Sequence, residues 1–355
     1  MPTLAASHLF LIKGRLELDV TLSHSGVYKD QAGPMTSMTV EAVRLTKHYG
    51  ARSAVEDVSF TASQGDIVGL LGPNGAGKTT TIRLLTTVLV PTSGEFSIAG
   101  HPSTSPNEIR RCVGVLPESS GYPAYQTGGE YLRFFARLYG LSRSNARSLA
   151  AELLATVGLA DRAGSPISTY SRGMRQRLGI ARALVNDPVV VFLDEPTLGL
   201  DPAGQAQVLD IIRTIAKSRA ATVVLSTHLL PEVEDVCSKV VILHHGRVAV
   251  DGSVGEVIST ALIEQSAELR VPLDMVERAR NVLAGFPNLS VDQLAEQPDV
   301  LSLSVDGAGT GAGSSEVMNA ALAAITAAGI PVLRFELEGA RLSDAFFKMT
   351  SEAVA

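Results

Sequence analysis

Eight consecutive residues, Gly72-Pro73-Asn74-Gly75-Ala76-Gly77-Lys78-Thr79, fit the pattern G-x-x-x-x-G-K-[ST]. Glycines let the backbone turn so that successive N–H groups point into one concavity, where phosphate oxygens can be held. The apolar run 67–71 precedes this loop, and a helical pattern opens at Lys78. The helix start adds free N–H groups and the positive end of a dipole. In such a loop Lys78 offers a point charge to the β- and γ-phosphates of a nucleotide, and Thr79 offers a hydroxyl to Mg²⁺. Thr80, next along the helix, belongs to the same nucleotide-binding set. An ordinary glycine-rich turn lacks this pairing of strand before and helix after.

A second group lies at Val189-Val190-Val191-Phe192-Leu193-Asp194-Glu195, an apolar strand ending in two carboxylates. Asp194 at the strand tip can hold Mg²⁺ directly or through water. Glu195 then falls beside the γ-phosphate, placed to orient or deprotonate an attacking water. Solvated carboxylates often end strands, so this pattern gains its meaning from the phosphate loop upstream.

The elements that must position these groups follow from the hydrophobic pattern. Strands are expected at 39–45, 55–62, 67–71, 113–116, 189–193, 222–226 and 239–243. Helices are expected from Lys78 to about Leu89, and at 130–139, 144–158, 172–184, 203–217 and 230–236. This alternation predicts an α/β domain with a parallel sheet. Beyond about residue 263 a second set reads strand 268–271, helix 274–285, strand 301–305, helix 316–328, strand 332–338 and helix 342–349, with a glycine-rich loop at 307–313. It predicts a small α+β domain of ferredoxin-like character. The expected organisation is an extension over 1–37, a nucleotide-binding domain over 38–262 and an accessory domain over 263–355. The extension carries no motif beyond a weak alternation over 8–20, and is expected to be disordered or to reflect a true start at Met35 or Met38.

Bulk composition narrows the setting. The chain has 355 residues, 45% hydrophobic and 19% charged, enough apolar content for a core of real size. Its formal net charge of -6 argues against nucleic acid held by general charge attraction. The mean hydropathy is +0.21, yet the apolar runs stop well short of the ~20 residues of a spanning helix. They fit strands of a parallel sheet, apolar on both faces. No basic segment followed by an apolar core opens the chain, so no signal peptide is expected. Two cysteines, Cys112 and Cys237, suggest a reduced compartment, with a bond between them left open.

The segment Tyr170-Ser171-Arg172-Gly173-Met174-Arg175-Gln176-Arg177 resembles the signature sequence of ABC transporter ATPases, usually Leu-Ser-Gly-Gly-Gln, in its export-type form with Tyr first and Met fifth. It lies just before Asp194 and opens a helix. Ser171 and the N–H groups of Gly173 and Met174 form a second anion site at that helix start. Arg172 stands where the family commonly has glycine. With the phosphate loop, this order identifies residues 39 to about 256 as similar to an ABC ATPase domain. The resemblance implies further roles. Tyr49 sits where the family stacks a ring on adenine. Leu198-Gly199-Leu200-Asp201 looks like the loop that touches the opposite subunit. His228, in Ser226-Thr227-His228, looks like the switch histidine, a neutral donor to the γ-phosphate. Glu118 replaces the family's usual Gln after strand 113–116. It can still ligate Mg²⁺ through oxygen, and Gln126 is a weaker substitute. The C-terminal part, closing on Arg341-Leu342-Ser343-Asp344-Ala345-Phe346-Phe347-Lys348-Met349-Thr350, resembles the extra domain of drug-resistance-type export ATPases.

One phosphate loop and one signature per chain imply a head-to-tail pair of copies with two ATP molecules between them. The resemblance implies ATP hydrolysis powering export of drug-like or lipid cargo through a separate transmembrane permease. The chain is then expected in the cytoplasm on the inner face of the membrane, with residues 118–130 as the coupling loop. The alternative within the family is a non-transport ABC ATPase of translation-factor or regulatory type, which usually carries two phosphate loops and basic linkers. Against a kinase or DNA-repair ATPase stand the signature at Ser171 and the lack of a coiled-coil or zinc insertion.

Overall fold

The computed structural model describes residues 38–119, 121–261, 266–294, 297–305, 311–338 and residue 342. The expected extension over 1–37, residues 307–310 of the glycine-rich loop and the closing helix beyond Leu342 lie outside the described residues.

The chain opens with strands β1 (Met38–Tyr49), β2 (Arg52–Ser63) and β3 (Ile67–Leu71), then helix α1 (Lys78–Leu85). Next come β4 (Ser93–Ile98), β5 (His101–Pro102), α2 (Pro106–Cys112) and β6 (Val113–Leu116). Helices α3 (Gly128–Leu138), α4 (Arg143–Thr156) and α5 (Arg172–Ala183) lead to β7 (Val190–Asp194), α6 (Pro202–Arg219) and β8 (Thr222–Thr227). Helix α7 (Leu230–Val236), β9 (Lys239–His244), β10 (Arg247–Ser253) and α8 (Val254–Ala261) follow. The last set is β11 (Ser266–Arg270), α9 (Val276–Leu283), β12 (Leu289–Gln293), β13 (Val300–Val305), α10 (Gly311–Ala327) and β14 (Arg334–Glu338).

The central sheet has the order β10-β9-β3-β8-β7-β6. Its pairs are parallel except the edge pair β9–β10, which is antiparallel. Both faces are buried, which is why its strands read as unbroken apolar runs. Val190, Phe192, Val68, Leu70 and Val224 face a core shared with α1 and the antiparallel sheet β2-β1-β4-β5. Val191, Leu193, Val223 and Leu225 face the other core, shared with α3 to α6. Alternation along each strand thus sends successive side chains into different cores.

Helix α1 ends at Leu85, four residues earlier than expected from the sequence. Thr86 caps it, and Thr87 then takes a left-handed φ of 59°. Thr86, Thr87 and Val88 are β-branched and poor at continuing a helix. Helix α3 starts two residues early, because Thr127 and Glu130 form a reciprocal capping box.

The C-terminal strands form an antiparallel sheet of order β12-β13-β11-β14. With α9 and α10 as crossovers this is a βαββαβ arrangement, of the ferredoxin-like character expected, with β12 as a strand the sequence reading did not contain. It encloses an apolar cluster of its own that includes Leu269, Leu301, Leu303, Met318 and Ile325. Helix α10 begins at Gly311, inside what was expected to be loop. Leu342 is fully buried in a separate cluster with Val233 of α7 and Val257 of α8, and its N–H donates to Glu234.

Cys112 and Cys237 are both free thiols. Burial pushes the Cys112 thiol up to about 11 and raises that of Cys237 further, so neither is activated. Among the described residues no helix is long and apolar enough to cross a membrane.

Candidate functional site

Parallel register brings the carboxyl ends of the sheet strands to one edge, where open α/β sheets place their ligands. Leu71 pairs with Thr227, and Asp194 pairs with Ser226. The loop after β3, the tip of β7 and the tip of β8 are therefore neighbours, although the loop lies more than a hundred residues before the other two in the chain.

The loop from Gly72 to Gly77 is built on positive φ angles of 152° at Gly72, 83° at Gly75 and 106° at Gly77. A Cβ at Gly77 would sit 2.7 Å from the Ala54 carbonyl oxygen, so both its conformation and its space demand glycine. Ala54 belongs to the β1–β2 hairpin, whose tip carries Tyr49. The Tyr49 ring is half exposed, with the Lys47 ammonium 5.6 Å from its centroid. The first turn of α1 has no acidic residue, which leaves its positive end uncompensated.

Lys78 is only 6% exposed. Its Nζ donates to the Gly72 carbonyl at 2.6 Å and lies 3.6 Å from Glu195 Oε1. The Thr79 hydroxyl donates to Asp194 Oδ1 at 3.1 Å, and Ser226 Oγ donates to the same oxygen at 2.6 Å. The Glu195 N–H donates to Ser226 Oγ at 2.9 Å. Glu195 adopts a left-handed φ of 49°, a strained backbone for a residue with a side chain. Its Oε2 lies 3.0 Å from His228 Nδ1. One ammonium, two buried carboxylates and an imidazole thus converge on the mouth of the glycine loop. The Thr79 hydroxyl and the Asp194 carboxylate are adjacent hard oxygens of the kind Mg²⁺ takes.

Glu118 is placed differently. It follows β6, three inter-strand steps (about 14 Å) from β3 but directly paired with β7, whose tip carries Asp194. It lines a cavity of about 320 Å³ with Tyr122, Arg172, Arg175 and Gln176. No hydrogen bond joins it to Thr79 or Asp194 among the described residues. Ser171 caps α5 by accepting the Met174 N–H at 3.2 Å. The Arg172 guanidinium fills the space a Cβ would take at Gly199, 2.5 Å from its Cζ. Gly173 lies near Leu200. The segment from Ser171 to Met174 makes no hydrogen bond or ion pair with the glycine loop of its own chain among the described residues.

The family model for the ABC transporter matches residues 55–198. The chain is 41% identical over 222 residues to the daunorubicin/doxorubicin resistance ATP-binding protein DrrA of Streptomyces peucetius, covering 62% of this chain and 67% of that protein. It is also 41% identical over 213 residues to the bacitracin transport ATP-binding protein BcrA of Bacillus licheniformis, covering 60% and 69%. The chain belongs to the ABC transporter ATP-binding protein family. A solved ATP-binding subunit of an ABC transporter superposes with a TM-score of 0.56 at 35% identity, covering 62% of this chain and 91% of that one. As an ABC ATPase the chain binds and hydrolyses ATP.

Four polar residues of this ABC ATPase, Ser226, Thr197, Thr227 and Glu232, were given no role in the sequence analysis. Ser226 holds both the Asp194 side chain and the Glu195 backbone. Its apposition to Asp194 is a matter of strand register, which sequence does not carry. Thr197 and Thr227 both donate to Glu232 Oε2, at 2.8 and 3.0 Å. Burial raises the pKa of the Glu232 carboxyl, with the two threonine hydrogen bonds opposing and the charge of Glu195 adding to the rise. The only sequence signal for it was an acidic residue on a helix whose neighbours Val233 and Val236 are buried.

Proposed function

We propose that this chain is the power-generating subunit of an exporter whose membrane-spanning permease is a separate polypeptide, and that two copies close head to tail on two MgATP molecules. The observation that carries the reading is the meeting of Lys78, Asp194, Glu195 and His228 at one sheet edge, with Ser171 to Met174 making no hydrogen bond to the glycine loop of the same chain among the described residues. Half of a phosphate grip is present in one copy and the complementary half is free to serve another.

In this reading the residues from Gly72 to Thr80 wrap the triphosphate. Lys78 exchanges the Gly72 carbonyl for phosphate oxygens, a neutral acceptor for charged ones. Thr79 and Asp194 would hold Mg²⁺, which would supply positive charge to offset that of the phosphates. Glu195 orients or deprotonates the attacking water, and His228 steadies Glu195 and the γ-phosphate. Tyr49 stacks on the base. Ser171, Arg172, Gly173 and Met174 of the second copy close the site from the far side, where a capped helix start supplies N–H groups. Glu118, just past the strand that pairs with β7, would offer the metal a further oxygen, and its cavity beside Arg172 and Arg175 suits a coupling role between the two halves.

Residues 38–262 form the ATP-binding part in this proposal and residues 263–355 an accessory part. The drug-resistance and bacitracin-transport relatives support drug-like or lipid cargo. Peripheral attachment to the inner face of the membrane follows from a permease partner. The test is ATP hydrolysis by the chain purified with its co-isolated membrane partner. Expected are chelator-sensitive hydrolysis and its stimulation by cargo in reconstituted vesicles. Hydrolysis indifferent to chelator, or a chain that isolates with ribosomes in place of a membrane protein, would refute the proposal.

A further inference from the structure

We infer that Glu232 is a positioning residue for hydrolysis, tying the turn after Glu195 to the strand end that carries His228. Thr197 lies two residues beyond Glu195, and Thr227 immediately precedes His228. Both hydroxyls donate to one oxygen, Glu232 Oε2, at 2.8 and 3.0 Å. Thr227 Oγ1 in turn accepts the Leu229 N–H at 3.1 Å, which fixes the direction of its donated proton. The three side chains are almost fully buried, at 1% exposure for Thr197, 0% for Thr227 and 6% for Glu232. The ring of contacts is closed by His228 Nδ1 on Glu195 Oε2 at 3.0 Å.

A buried carboxyl is an expensive way to fill space. Glu232 Oε1 has no hydrogen-bond partner among the described residues, so half of this group gains nothing from the fold around it. A leucine would plug the same volume without that penalty. What only an oxygen acceptor supplies is a joint between two polar segments from different strands. Without it the β7 and β8 tips keep their ladder bonds, but the residues just past those tips lose their common anchor. Glu195 and His228 hang on these residues. The left-handed φ of Glu195 needs such external support, because strained backbone persists only where its surroundings hold it.

The inference rests on Glu195 and His228 being the hydrolytic pair, so the experiment separates the two. ATP affinity by equilibrium binding, and kcat and KM by phosphate release, are measured for Glu232→Leu, Glu232→Gln, Thr197→Val with Thr227→Val, and Glu195→Gln. Glu232→Leu is expected to lose about ten- to a hundredfold in kcat, the scale of a small misplacement, with KM and ATP affinity little changed. Glu232→Gln, whose amide oxygen can accept both hydroxyls, keeps most of kcat. In a Glu195→Gln background Glu232→Leu adds no further loss. Should the leucine variant fail to fold, the double valine variant must show the same selective fall in kcat. A wild-type kcat in either, or an equal loss in Glu232→Gln, or parallel loss of ATP binding, overturns the positioning role. Full activity in Glu195→Gln overturns the hydrolytic reading instead.

Discussion

Replacing Glu195 by glutamine keeps the shape of the site and removes one charge. Two effects follow from the geometry, and they have opposite signs. The glutamine cannot take a proton from water, so hydrolysis is expected to fall by about 10²- to 10⁴-fold, the usual share of a general base. The second effect concerns Lys78. Its ammonium lies 3.6 Å from the Glu195 carboxylate in a nearly dry setting. At an effective dielectric of about 20 this separation corresponds to an attraction of about 4–5 kcal/mol before desolvation is counted. ATP must compete with that attraction for Lys78, and it must also approach a carboxylate of its own sign. If only about 1 kcal/mol survives the opposing solvation terms, the glutamine variant binds ATP about fivefold more tightly. The two effects are read separately, by phosphate release under single-turnover conditions and by equilibrium binding of ATP to the variant. Slower hydrolysis together with tighter binding is the expected pair of results. Weaker ATP binding in Glu195→Gln would mean that the carboxylate is not a competitor for Lys78. Unchanged hydrolysis would mean that Glu195 does not touch the water.

The other substitutions probe the scaffold. Gly77→Ala forces a side chain onto a φ of 106° with the Ala54 carbonyl in its way, and should abolish ATP binding while the melting curve stays cooperative. Phe192→Ala empties a fully buried position on the strand that carries Asp194 and should cost about 3–5 kcal/mol in denaturant unfolding; a loss under about 1 kcal/mol would contradict the packing described. Glu232 gives a pH signature. Its folded pKa is raised, so between the ordinary carboxyl range and that raised value the folded chain keeps a proton that the unfolded chain releases. Stability from this group is complete below the unfolded pKa and lost as pH rises through the folded one. Thermal melts should therefore show Glu232→Gln gaining on the wild type as pH is raised through this window, and a constant gap would count against the burial of a titrating carboxyl.

Much of this was legible in the residues because the strongest signals were abrupt. Ile67–Leu71 was read to the residue, since an apolar run bounded by Asp66 and Gly72 leaves no latitude. Helix α7 was also read to the residue. Where burial is partial the pattern weakens. Strand β12, Leu-Ser-Val-Asp-Gln, buries only Leu289, and edge strand β10 alternates without a fully buried residue, so neither announced itself. Helix α2 is seven residues long and shows one buried side chain, Ile109. The T-x-x-E capping box that starts α3 was present in the sequence and would have corrected its boundary. Site residues divide in the same way. Lys78, Asp194 and Glu195 follow from local motifs, whereas Ser226 and Glu232 depend on which strands lie side by side. Glu118 was assigned to the metal by the family resemblance alone, and it follows β6, which pairs with the strand that carries Asp194.

The central claim is that each hydrolytic site is shared between two copies. It is tested most directly by mixing Lys78→Ala, which lacks the phosphate lysine, with Ser171→Arg, which blocks the signature. Each variant alone should be inactive. On mixing, about half the pairs would be hybrids with one intact site of two, so about a quarter of wild-type ATPase activity should return. No recovery in mixtures shown to exchange subunits, or wild-type hydrolysis by Ser171→Arg alone, would place the whole reaction within a single copy.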